Sequence, residues 1–203
     1  MTEVAQGQTA GIGEPRRDGR TGRHLPGEGS MWFFVIGDLV IFGAYFVAYM
    51  FYRGQHPDLF LQSQARLNQD IGAVNTVMLL TSSLFVALGT SAARSGKVAD
   101  AVRLFVIALG FGAAFPLLKL FEYVPEVTAG LTPGTNAFFM FYYVMTGLHL
   151  CHVLLGLVVL GFVVRELRIS PNPRISFVET GATYWHMVDV LWLFLFALFY
   201  LMR

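Results

Sequence analysis

Residues 31–52 read MWFFVIGDLVIFGAYFVAYMFY, an apolar run whose one charge is Asp38. A helix crosses a hydrocarbon layer about 30 Å thick with roughly 20 apolar residues, so this run is long enough to span a membrane. A carboxylate inside such a span is costly unless it is paired, protonated, or turned toward protein or water. At about 1.5 Å per residue, Asp38 lies about two turns, or roughly 10 Å, into the run. Asn or Ser could fill a packing role there with less desolvation. A function for Asp38 beyond packing therefore stands beside the structural reading.

Four more stretches repeat the pattern: Ala73 to Ala93, Ala101 to Tyr123, Ala137 to Val164, and Gly181 to Met202. The expected fold class is all-α, a polytopic membrane protein of five transmembrane helices. The composition agrees, with 55% hydrophobic and 13% charged residues, against roughly 25% charged in an average soluble domain. A closed barrel would need short alternating segments, and none are present. The near-neutral net charge of +1 gives no sign of a nucleic-acid partner. A single cysteine, Cys151, excludes a disulfide within the chain.

Residues 1–30 are polar, with scattered Gly, Arg and Glu and no apolar core of a signal peptide. They are expected to form a flexible cytoplasmic tail, with 31–203 as one transmembrane domain. Basic residues orient the spans. Arg16, Arg17, Arg20 and Arg23 lie in the tail; Arg94, Lys97 and Arg103 flank the second connection; Arg165, Arg168 and Arg174 flank the fourth. The other side holds Arg53, Arg66 and Arg203. The N-terminus is therefore expected inside and the C-terminus outside the membrane.

Small residues line several spans, among them Gly37, Ala44 and Ala48 in the first and Gly110, Gly112, Ala113 and Ala114 in the third. Such residues let helices approach closely in lipid. The fifth span is loaded with Trp185, Trp192, Phe194, Phe196, Phe199 and Tyr200. That face suits lipid or a partner protein equally.

Further polar residues sit at depth. His149 and His152 lie three residues apart on one helix face, as do His186 and Asp189, and Lys119 and Glu122. The bland readings are hydrogen bonds between helices for His149 and His152, a structural pair for His186 and Asp189 with the carboxylate fixing the ring tautomer, and a boundary ion pair whose lysine snorkels outward for Lys119 and Glu122. Metal or haem ligation by the histidines is conceivable. With five histidines, two of them (His24 and His56) in the tail and a loop, the expectation is no metal site and no catalytic residue.

Two longer patterns carry a resemblance. Thr146-Gly-Leu-His149-Leu-Cys-His152-Val-Leu-Leu-Gly156 and Tyr184-Trp-His186-Met-Val-Asp189-Val-Leu-Trp192-Leu-Phe are similar to helix signatures of haem–copper oxidase subunit III. Asn75-Thr76, Ser82-Ser83 and Phe121-Glu122-Tyr123 match more weakly, in the same order. The resemblance covers nearly all of residues 31–203. Mitochondrial-type members have seven helices, and this chain resembles the last five, as in bacterial quinol oxidases and the accessory proteins of nitric oxide reductases. Asp38 matches the family's membrane carboxylate, usually Glu. Its context, Ile36-Gly37-Asp38-Leu39, and the chain length lean toward the nitric-oxide-reductase group.

The resemblance implies a non-catalytic accessory subunit without haem or metal of its own, packed beside a haem-bearing subunit I. It implies phospholipid in a cleft, support of assembly, and sustained proton uptake. Asp38, His149, His152 and Glu122 become candidates for holding a proton or lining the lipid cleft, with His186 and Asp189 as a structural polar pair. Asp38 would hold a proton or bond a histidine such as His149 or His152. A proton-coupled small-molecule transporter using Asp38 is the alternative, although inverted repeats and broken helices are not evident. A membrane metalloenzyme is a third class.

Overall fold

The computed structural model describes residues 29–202. The tail expected over residues 1–30 lies outside them except for Gly29 and Ser30, which begin the first helix. Six helices follow in order: α1 (Gly29–Gln55), α2 (Pro57–Gln64), α3 (Gln69–Arg94), α4 (Val98–Thr128), α5 (Ala137–Ile169) and α6 (Ile175–Phe196), the last running into a π-helical segment, Ala197–Leu201. No strand occurs among the described residues. Five helices are long and apolar enough to cross a membrane, which matches the five spans read from the sequence. The exception, α2, is short and half polar.

Local chemistry sets the helix ends. Asn68 caps α3, its side-chain oxygen accepting from the backbone of Asp70 at 3.0 Å and Ile71 at 3.3 Å. Asn136 caps α5 through the Phe139 N–H at 3.0 Å, and its amide also donates to Ser63 of α2 at 3.0 Å. The α3–α4 turn and the exit from α4 use Gly96 (φ 74°) and Gly130 (φ 79°), left-handed positions that suit glycine. α4 runs through Pro116 and Pro125 without ending, as helices buried among neighbours in a membrane tolerate.

The bundle is built around α6. Its aromatic residues Trp185, Trp192, Phe199 and Tyr200 are buried, so most of the aromatic load meets protein, not lipid. Phe194 alone of those named is largely exposed. α3 packs along α4 and α6, and α5 along α4 and α6. By contrast, α1 lies loosely on α5 and α6, and Phe33 is 84% exposed. The glycines of α1 do not draw it close, since a Cβ at Gly37 or Gly43 would meet nothing within 4 Å; of its small residues, Ala48 packs against the core.

Trp185 is gripped between α4 and α5. A Cβ at Gly112 would come within 2.7 Å of its ring, and one at Gly156 within 2.8 Å. A rigid indole with no free space cannot yield to either. Gly112→Ala and Gly156→Ala should each cost about 1–3 kcal/mol by overpacking, read as a lower denaturation midpoint in detergent. Gly110→Ala, which meets open space, should leave the midpoint unchanged.

Two ends of the bundle differ in charge. Arg94, Lys97, Arg103, Arg165, Arg168 and Arg174 cluster at the end carrying the α3–α4 and α5–α6 turns, here the basic end. The opposite end carries α2. Its Phe60 packs edge-on against Tyr49 at 5.2 Å and Phe138 at 5.7 Å.

Candidate functional site

α1 brings Asp38 to α5, where its Oδ2 lies 3.3 Å from His152 Nε2. Both side chains are largely enclosed, 13% and 19% exposed. The other ring nitrogen, Nδ1, lies 2.8 Å from the Leu148 carbonyl. A carbonyl only accepts, so Nδ1 carries the hydrogen. A neutral ring would then aim a lone pair at the carboxylate. Two lone pairs at that separation repel, so a hydrogen bond between the two would need a proton on either Nε2 or the carboxyl; as placed, Asp38 Oδ2 has no hydrogen-bond partner. The Phe42 ring stands edge-on to His152 at 5.7 Å, and the Tyr184 hydroxyl donates to the His152 carbonyl at 3.4 Å.

His149 does not join this pair. It is fully buried, and neither ring nitrogen has a hydrogen-bond partner. Its ring lies edge-on to Phe115 at 5.4 Å and 5.3 Å from Trp192. The hydrogen bond between helices expected of it is absent. Three residues of helix separate the two histidines by roughly 60° around the axis, enough for one to face α1 and the other the bundle centre.

Lys119 corrects a second expectation. It does not snorkel but is fully buried. All three ammonium donors are used: Glu122 Oε2 at 2.8 Å, Tyr200 OH at 2.9 Å and Tyr142 OH at 3.1 Å. Four aromatic rings surround it, their centroids 4.9–5.4 Å from Nζ. The Tyr200 hydroxyl also donates to Glu122, while Tyr142 and Tyr143 donate to Glu126 at 3.5 and 3.3 Å. Lys119 has no route outward because α5 and the end of α6 close over it. Glu122 and Glu126 also border a cavity of about 290 Å³ at the α2 end, with Arg66 on its wall. Sequence reading missed Tyr142, Tyr200 and Glu126, since nothing in their spacing distinguishes them from packing residues.

The third polar group is arranged differently from the expected pair. His186 Nδ1 lies 2.6 Å from the Ser83 hydroxyl of α3. No His186–Asp189 bond forms; the two share a helix face, but Ser83 stands at the ring. Ser83 also lies near the Asp189 carboxyl, but no hydrogen bond joins the two, and Asp189 Oδ1 has no partner. Among the described residues, no three His, Cys, Asp or Glu side chains converge as metal ligands would.

At the basic end, α5 and α6 border a cavity of about 560 Å³ lined by Phe162, Arg165, Glu166, Ile169, Arg174 and Phe177, among others. Arg174 leans on Glu166 at 3.5 Å. Arg165 has no charged partner among the described residues.

The comparisons agree with this architecture. The family described as cytochrome c oxidase subunit III matches residues 27–203. A cytochrome c oxidase subunit 3 of Thermostichus vulcanus is 33% identical, over 83% of this chain and 84% of its own length. A quinol oxidase subunit 3 of Bacillus spizizenii is 27% identical, over 84% of each chain. A haem–copper oxidase subunit I+III of Aeropyrum pernix is 27% identical over 85% of this chain but only 22% of its own length. A match along nearly the whole transmembrane region, with five apolar helices beneath it, decides the family: this multi-pass chain belongs to the cytochrome c oxidase subunit III family.

Proposed function

We propose that this chain is the non-catalytic accessory subunit of a haem–copper terminal oxidase in a bacterial inner membrane. Its basic end faces the cytoplasm and its α2 end the outside, as the distribution of Arg and Lys favours. The observation that carries the reading is the family match over residues 27–203. The Aeropyrum relative, named as subunits I and III in one chain, supports a place beside a catalytic subunit I. The haem and copper belong to that subunit. Sequence context near Asp38 leans toward nitric oxide reductase, but the named relatives are oxidase subunits, so oxygen is the acceptor in this reading.

Two features serve that role. The Asp38–His152 pair holds a proton on the most exposed helix, where a partner subunit or lipid comes closest. The arginine-lined cavity between α5 and α6 suits the phosphate of an anionic phospholipid, with Phe162, Ile169 and Phe177 against its acyl chains. Arg165→Ala with Arg174→Ala should remove retained phospholipid, counted by native mass spectrometry of the detergent-purified complex. Unchanged lipid stoichiometry would clear this cavity of the role.

A mild-detergent pull-down from native membranes tests the whole reading, with mass spectrometry and a haem spectrum on the eluate. A haem-bearing oxidase subunit I in the eluate supports it. A nitric oxide reductase subunit in its place would reassign the acceptor, and a chain eluting alone without haem would favour the transporter.

A further inference from the structure

The strip of α3 and α6 nearest the basic end encloses a groove that the reading above does not use. Its volume is about 260 Å³, and its walls are Ala87, Thr90, Ser91 and Arg94 of α3 with Glu179, Ala182, Thr183 and His186 of α6. At about 30 Å³ each, several waters would fit. At the mouth, Arg94 Nε and Glu179 Oε1 pair at 2.7 Å. Thr90 and Thr183 each spend their hydroxyl hydrogen on the backbone carbonyl four residues earlier. Their lone pairs are left to accept from water in the groove. At the floor stands His186, partly open to the groove, with Ser83 on its Nδ1.

Beyond Ser83 lies Asp189, only 6% exposed, with Oδ1 lacking any hydrogen-bond partner. A carboxylate so placed in a membrane is costly unless a proton or water reaches it. The groove offers that access through His186 and Ser83. The charged side chains on the groove are Arg94 and Glu179, which neutralise each other, so His186 is the titratable group between the mouth and Asp189 among the described residues.

We propose that the α3–α6 groove is a proton half-channel open at the basic end, with His186 and Ser83 relaying protons to Asp189. A proton from groove water binds His186 Nε2. The Nδ1 hydrogen passes to the Ser83 oxygen, and the Ser83 hydroxyl, which shares no hydrogen bond with Asp189 at rest, turns to pass its own hydrogen to the unpartnered Asp189 carboxylate. One proton enters and one is stored, and rotation of the ring resets the relay. Ser83 and His186 position and pass the proton; Asp189 is its terminus. The inference does not depend on Asp38 or on the identity of the partner subunit.

The test uses the intact complex in sealed vesicles, with Cys151→Ser as background because that cysteine is exposed. Thr183→Cys should react with a small charged methanethiosulfonate added on the side from which Ser95→Cys, on the α3–α4 turn, reacts. Val190→Cys, on the exposed face of α6, should not react. Infrared spectroscopy reads the terminus. The carboxylic C=O band that Asp189→Asn removes should shift in deuterium oxide quickly in the wild type. That shift should slow in His186→Phe and in Ser83→Ala. An unreactive Thr183→Cys beside a reactive Ser95→Cys overturns the proposal, as lipid or a partner helix then fills the groove. Exchange at Asp189 that ignores both relay variants overturns it equally. Failure of the subunit reading would appear separately, in the pull-down.

Discussion

Lys119→Met should lower the stability of the bundle by about 3–5 kcal/mol, the cost of leaving one member of a buried ion pair alone. The reason is local. Lys119 and Glu122 are both almost wholly enclosed, and their contact is 2.8 Å. Without the ammonium, Glu122 faces only hydroxyl donors, and the Tyr142 and Tyr200 hydroxyls lose a donor. The four surrounding rings would at the same time lose their cation. A denaturation midpoint in mixed detergent micelles reads the loss. The double variant Lys119→Met with Glu122→Gln should recover most of it, because a neutral pair has no unbalanced charge to bury. A single variant that changes stability no more than a surface substitution, about 0.5 kcal/mol, would mean that Glu122 is already neutral in the folded chain.

Asp38→Asn should leave the subunit assembled but shorten the working life of the complex several-fold. The amide keeps the shape of the carboxyl, and its N–H can donate to His152 Nε2, so α1 stays docked. What it would lose, in the role proposed for the pair, is the capacity to hold a proton between the two side chains. Oxygen consumption followed to inactivation measures the lifetime, and proton uptake by the purified complex measures the transfer. His152→Ala should behave similarly, and the double variant should add little, since the two act as one unit. Wild-type assembly, lifetime and proton uptake in Asp38→Asn together would leave Asp38 a packing residue only.

The polar side chains show how far spacing carries. His149 and His152, three residues apart, were legible as neighbours on one face. Which of them met Asp38 was not, because a rotation of roughly 60° around the helix separates α1 from the bundle interior. His186 and Asp189 read as a bonded pair on the same rule, yet Ser83, distant in sequence, supplies the hydrogen bond to the ring. The Lys119 cluster draws on α4, α5 and the π-helical end of α6. Only its Lys119–Glu122 contact is local enough to read from the chain.

The sequence by itself determined that five helices cross a membrane and roughly where each lies, because lipid demands long apolar runs with satisfied backbones. Its ordered polar motifs also pointed to the family that the comparisons identify. Only the tertiary structure decided which helix is central. The aromatic α6 could have met lipid, and the equally apolar α1 could have been buried; in fact α6 forms the core and α1 the exposed edge. Lipid and protein interior are alike apolar, so hydropathy cannot tell them apart. What separates them is close fit, such as Gly112 and Gly156 closing on Trp185. That fit exists only once the helices are assembled.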